Sequence, residues 1–236
     1  MKVEIWSDVM CPFCYIGKRR FEQALQRFAH ADDIVVEWKS FQLDPNMQTQ
    51  PGKNINQYLA ERKGWSLTQA QQMNAHVTNM AADEGLVYNF DKAVVANSFD
   101  AHRFASFAKE RGFGNQAEEA LFEAYFTKGE NIADQETLAQ LGEEIGLDGF
   151  LIKKALAAGD YVGNVKNDLA EAEAIGVSGV PFFVLNRQYA VSGAQPVDVF
   201  LSALEKSFDE WRRQNPFREQ VTQTSGEVCT PGNVCG

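Results

Sequence analysis

Over Val3-Glu4-Ile5-Trp6-Ser7 apolar and polar side chains alternate, the period of a half-buried β-strand. The period then changes. Phe21, Leu25 and Phe28 recur at helical spacing, which predicts a helix beginning at or just after Cys11. A second strand is predicted over Ile34-Val35-Val36-Glu37-Trp38-Lys39-Ser40-Phe41, a β-branched and apolar run. Strand, helix and strand by residue 41 open a βαβ unit. Asp44-Pro45-Asn46 breaks the pattern, and the polar stretch 48–52 reads as a linker.

Helical signals dominate the next hundred or so residues. Ser66-Leu67-Thr68-Gln69 is a capping-box sequence, followed by a stripe of Leu67, Ala70, Met73, Val77 and Met80. Further helices are predicted to begin near Asn97, Asn115 (with Glu118 three residues on), Asp134, Asp148 and Asp160. Gly112, Gly129, Gly146, Gly159 and Gly176 fall near the expected helix ends. Strand signals return at Phe182-Phe183-Val184-Leu185 and Tyr189-Ala190-Val191. A final amphipathic helix follows Pro196, with Val199, Phe200, Leu204, Phe208 and Trp211 expected inward. The order β-α-β, helical block, β-β-α predicts an α/β protein, a thioredoxin fold with a large all-helical insertion. Residues 1–45 and 177–213 would form the thioredoxin-like domain and 46–176 the insertion. The polar segment 214–236 would be a flexible tail carrying a second cysteine pair.

Composition narrows the partners. Net charge is −10, from 22 basic and 32 acidic residues, which argues against a nucleic-acid surface or an anionic-membrane anchor. No run approaches a transmembrane helix, and Met1 passes directly into the first strand without a signal-peptide pattern. If Met1 is the true start, the expected location is cytoplasmic. There, a C-x-x-C is a catalytic or sensing pair and not a structural staple.

That pair is Cys11-Pro12-Phe13-Cys14, placed where strand gives way to helix. At a helix N-terminus unpaired amides and the helix dipole favour an anion, so Cys11 is expected to ionise readily and act as nucleophile. Pro12 suits the first turn, where its missing N–H has no partner to lose. Cys14 lies one turn on, within reach of a disulfide with Cys11. Zinc would need four ligands, and neither a second C-x-x-C nor an H-x₃₋₅-H pair is present. No metal or organic cofactor is implied; glutathione enters only as a co-substrate.

Three segments carry a resemblance: Ser7-Asp8-Val9-Met10-Cys11-Pro12-Phe13-Cys14-Tyr15-Ile16-Gly17, Asn97-Ser98-Phe99-Asp100-Ala101-His102-Arg103, and Gly176-Val177-Ser178-Gly179-Val180-Pro181-Phe182-Phe183. The chain resembles the DsbA-like branch of the thioredoxin superfamily over residues 1–213. Within it the chain is similar to the FrnE-like dithiol oxidoreductases, relatives of 2-hydroxychromene-2-carboxylate isomerases and kappa-class glutathione transferases. The resemblance implies that Val180-Pro181 is a cis-proline dipeptide facing the C-x-x-C, its backbone free to pair with an extended substrate.

Asp8 could cap the turn into the helix, an aspartate's commonest local role, or act as general base toward Cys14. His102 could serve a thiolate or glutathione, or be an ordinary helix histidine. Phe13 and Tyr15 beside the dithiol could meet apolar peptides. In the tail, Pro231-Gly232 favours a turn that would bring Cys229 and Cys235 together. The pair could shuttle electrons to Cys11–Cys14, hold a metal, or be a stabilising disulfide.

The leading expectation is a thiol–disulfide oxidoreductase acting on protein or peptide thiols and disulfides, with Cys11 attacking and Cys14 resolving. One alternative is a glutathione-dependent isomerase or transferase of small molecules; another is a redox or metal sensor. The alternative relatives typically carry serine at the active position, whereas this chain has two cysteines.

Overall fold

The alternation over the first strand sorts its side chains onto two faces. In β1 (Lys2–Ser7), Val3 and Ile5 join one buried cluster and Trp6 another. The computed structural model describes residues 1–216. After β1 come α1 (Pro12–Arg27), β2 (Val35–Ser40), β3 (Gln50–Asn54), α2 (Ile55–Lys63), α3 (Leu67–Asp83) and β4 (Val94–Val95). Next are α4 (Phe99–Glu110), α5 (Gly114–Phe122), α6 (Gln135–Glu144), α7 (Gly149–Ala158) and α8 (Val162–Ala174). The chain then returns to the sheet with β5 (Phe182–Leu185) and β6 (Tyr189–Ser192), and ends in α9 (Val197–Gln214). Residues Glu123–Lys128 continue α5 as a π-helical turn.

The main sheet has the order β2-β1-β5-β6, with β1 parallel to β2 and antiparallel to β5. This is the expected thioredoxin fold. One face buries Val3, Ile5, Phe183 and Leu185 against Phe21 of α1 and Phe200, Leu204 and Phe208 of α9. On the other face Trp6 and Val184 pack with Ala172 of α8. Trp6 Nε1 donates to the Asp168 carbonyl at 3.1 Å, and Ser40 N donates to Asp168 Oδ2 at 2.9 Å, so α8 is bonded to both parallel strands.

The inserted segment departs from the all-helical expectation. Gln50–Asn54 is not a linker but β3, paired antiparallel with β4. Pairing across some forty residues leaves no local periodicity to read. Within α3 the capping box is present, but Leu67 and Met73 are exposed; the buried row is Ala70, Asn74, Val77 and Ala81. Val199 is likewise exposed, while Phe200, Leu204 and Phe208 are buried.

Asp134 and Asp148 cap α6 and α7 with their side chains. Asn97 acts at the start of α4 as expected, its Oδ1 accepting from Phe99 N, although Ser98 is the residue directly before the helix. Two other starts differ from expectation: α5 starts without a side-chain cap, and Tyr161, not Asp160, leads into α8. Gly112, Gly129, Gly146, Gly159 and Gly176 all take left-handed φ values of 75–92°, as their helix-end positions require. At Gly129 space also decides, since a Cβ would lie 2.7 Å from the Lys92 carbonyl oxygen.

Candidate active site

The start of α1 is built by short loop bonds. Cys11 N donates to the Asp8 carbonyl at 2.9 Å, and Cys14 N to the Cys11 carbonyl at 3.0 Å. Cys11 is therefore the N-cap residue, in extended conformation, with Pro12 in the first turn. Both cysteines are thiols here, Cys11 4% exposed and Cys14 fully buried. Phe13, between them, stands 39% exposed.

The strand-end dipeptide lies opposite. Cys11 Sγ donates to the Val180 carbonyl at 3.5 Å, and the Val180–Pro181 peptide is cis, as the resemblance implied. Pro181 is held from behind by Gly193, whose N–H donates to its carbonyl at 2.8 Å. Residues separated by 169 positions thus meet at one sulfur.

Burial, and after it the adjacent Cys11 sulfur, push the Cys14 thiol well above its ordinary range. The Ser7 hydroxyl and the Asp8 backbone favour its ionised form but do not offset this. The two sulfurs are unequal: one lies at the helix start beside a strand end, the other is sealed beneath it.

Asp8 caps the turn into α1, as expected, although Cys11 is the N-cap residue of the helix itself. Asp8 Oδ1 accepts from Met10 N at 3.3 Å and its Oδ2 from Leu43 N at 2.8 Å, which ties the cysteine loop to the segment after β2. Nε2 of His102 lies 3.6 Å from Asp8 Oδ1, and both residues are buried. Burial works against the His102 cation, yet Asp8, Glu118 and the Phe41 backbone together raise its pKa. His102 therefore sits beneath the loop as Asp8's partner. Tyr15 does not face outward; it stacks on Phe122 with centroids 4.9 Å apart, and its hydroxyl donates to Glu119 at 2.6 Å.

Three residues at the site escaped the sequence reading. The Tyr88 hydroxyl donates to the Pro12 carbonyl at 2.7 Å, bracing the first turn of α1. Gly17 gives Pro181 its space. Glu118, read there only as a possible capping residue, is 4% exposed and faces His102. Neither Tyr88 nor Glu118 had a local signal, because each reaches the site through tertiary packing. Cys229 and Cys235 lie outside the described residues.

The DSBA-like thioredoxin domain model matches residues 2–205. The chain belongs to this family. It is similar to a probable DsbA oxidoreductase from Streptomyces coelicolor, 38% identical, with full coverage of both chains and a TM-score of 0.84. The uncharacterized protein YwbO of Bacillus subtilis is 31% identical over 210 residues, covering 86% of this chain and 94% of the relative. The cytosolic disulfide reductase DsbM from Pseudomonas aeruginosa, solved with GSH, shares the fold at 19% identity; the match covers 89% of this chain and all of DsbM, with a TM-score of 0.63. For this DsbA-like chain, the chemistry open to the site is thiol–disulfide exchange.

Proposed function

We propose that this DsbA-like protein exchanges disulfides with protein or peptide substrates through Cys11 and Cys14. The observation that carries the reading is the 3.5 Å approach of Cys11 Sγ to the Val180 carbonyl, which puts the outer sulfur beside backbone able to hold an extended chain. At the N-terminus of α1 a thiolate on Cys11 faces the positive end of the helix dipole. Reduced enzyme attacks a substrate disulfide with Cys11; one substrate thiolate leaves and a mixed disulfide forms. Cys14 then attacks Cys11, the Cys11–substrate bond breaks, and the second substrate thiolate departs with the electron pair. Run backward, the same steps oxidise a substrate dithiol. Phe13 supplies an apolar contact beside the sulfurs. Glutathione is the small thiol that resets the pair, a role in keeping with the GSH in the DsbM structure and with work in a reducing cytoplasm.

The test is substrate turnover. Cys11→Ser should abolish reduction of a peptide disulfide, and Cys14→Ser should accumulate a mixed disulfide on Cys11, visible by mass spectrometry. Full-rate isomerisation or glutathione conjugation of a small molecule by the double variant would instead support the glutathione-dependent alternative.

A further inference from the structure

The face of α3 turned toward residues 88–92 carries carboxamides where a helix would ordinarily pack. Gln71, Ala75 and Asn79 follow one another at i, i+4 spacing, with Asn74 and Thr78 in the adjoining row. Together with Asn56, Tyr88 and Asn89 they line a cleft of ≈ 540 Å³, within the range of roughly 300–1,000 Å³ typical of ligand sites. Its walls are fixed. Asn74 is 7% exposed and its Nδ2 donates to Asn56 Oδ1 at 2.6 Å, while Asn56 Nδ2 donates to Asp91 Oδ1 at 3.5 Å. Asn89 Nδ2 donates to the Thr127 carbonyl at 2.7 Å. The groups left over face the opening: among the described residues Gln71 and Asn79 have no side-chain hydrogen-bond partner, and Asn74 Oδ1 accepts from none. Burying a carboxamide in the row where α3 otherwise buries Ala70, Val77 and Ala81 costs stability, so its open acceptor calls for a ligand.

Resting on the peptide-substrate reading above, we propose that this cleft binds the main chain of an extended, unfolded polypeptide segment that neighbours the cystine under exchange. Asp91 and Lys92 balance in charge, so nothing in the lining selects an anion. Tyr88 and Phe90 are 5% and 9% exposed, with Tyr88 stacked on Phe126 and edge-on to Phe90, so neither offers a free ring face to a sugar. What remains are carboxamides, each both donor and acceptor, the complement of a peptide bond. Spacing agrees: Gln71 and Asn79 lie about 12 Å apart along the helix, the span of roughly four residues of extended chain. Ala75 between them leaves that chain room to approach. Position agrees as well, since Tyr88 lines the cleft and its hydroxyl donates to the Pro12 carbonyl, between the two cysteines, at 2.7 Å. Substrate joined to Cys11 thus reaches the cleft within a few residues. Recognition of this kind reads the length and unfolded state of a chain, not its side chains.

Two peptide disulfides with the same residues around the cystine test this: a short one, and one extended by about six uncharged residues at each end. Wild type should reduce the extended peptide with a KM about tenfold below that of the short one. Gln71 and Asn79 are exposed, so replacing both leaves the fold in place. In Gln71→Ala/Asn79→Ala the advantage of the extended peptide should shrink to within about twofold, the loss falling on KM and not on kcat. N-methylation of the peptide bonds in the extension, which removes their donors, should raise the wild-type KM to the same degree. An extension that brings no advantage in wild type, or an advantage that survives the double variant, overturns the cleft. Turnover of neither peptide by wild type, or turnover of both by Cys11→Ser, overturns the dithiol reading instead. In that case the cysteine-free extension is titrated alone, and the side-chain NH₂ resonances of Gln71, Asn74 and Asn79 decide. Saturable shifts support the cleft; their absence, or equal shifts with a neutral oligosaccharide, overturns it.

Discussion

Gly17 leaves room for Pro181: a Cβ placed on Gly17 would lie 2.9 Å from Pro181 Cγ and 3.5 Å from Phe183. The proline ring is stiff and its carbonyl is tied to Gly193, so it can yield only by shifting the strand end. Gly17→Ala sets this clash against a helix-propensity gain of up to about 1 kcal/mol. The two roughly cancel in stability, so urea unfolding should change by less than about 1 kcal/mol. Because Cys11 and Val180 are 3.5 Å apart, turnover should suffer more, with kcat/KM for a peptide disulfide falling about tenfold. Wild-type turnover in Gly17→Ala would mean that the strand end can move without consequence.

The inequality of the two sulfurs sets a labelling order. Cys14 is fully buried and its thiol is pushed well up by burial, and each unit of that rise lowers its thiolate fraction about tenfold. Brief alkylation of the reduced, folded protein at about pH 7 should mark Cys11 alone. Cys14 should react only after unfolding or at strongly alkaline pH. Peptide mapping by mass spectrometry reads this directly, and comparable early labelling of Cys14 would reverse the assignment of attacking and resolving thiols.

Glu118 also fixes a pH dependence of stability. Its carboxyl is raised from 4.5 to about 7 by burial, against His102, Lys18 and Lys109. The folded state therefore holds a proton in that window that the unfolded state has lost. This contribution is complete below about pH 4.5 and is lost as pH rises through about 7. Glu118→Gln is neutral throughout, so its stability relative to wild type should improve from pH 5 to pH 8, by at most about 3 kcal/mol. Urea denaturation at the two pH values checks it; a difference independent of pH would show that Glu118 does not titrate in this range.

The parts of the fold written in local pattern could be read from the sequence. Alternation marked β1, the C-x-x-C marked the start of α1, and glycines marked helix ends because only a residue without a side chain sits comfortably at φ near 80°. The meeting of Cys11 with Val180 was foreseen through resemblance, not through any local signal. What stayed hidden depends on distant partners. β3 and β4 are too short and irregular to announce themselves, and α3 buries Asn74 where Met73 looked the better core residue. Asp8 caps the turn into the helix through Met10 N, but its further reach to Leu43 and His102 had no local signal. Glu118 follows Asn115 by three residues and so imitates a capping box, while its surroundings are set by α1, α4 and β2.

Tyr88 and Phe13 flank the dithiol in opposite ways, which makes their removal a paired test. The Tyr88 hydroxyl holds the Pro12 carbonyl at 2.7 Å, and its ring stacks on Phe126 with centroids 4.5 Å apart. Tyr88→Phe keeps the ring and loses one hydrogen bond, so stability should fall by about 1 kcal/mol. Exchange should slow with every disulfide, small or large, because the first turn of α1 positions Cys11 for all of them. Phe13 is 39% exposed, and its removal should cost little stability. Phe13→Ala should raise KM for an apolar peptide disulfide severalfold yet leave the rate with a small disulfide unchanged, since only the larger substrate covers the ring. Steady-state kinetics of both variants with both substrates separate the roles. Equal losses on the small and the peptide substrate in Phe13→Ala would reassign that side chain from substrate contact to support of the loop.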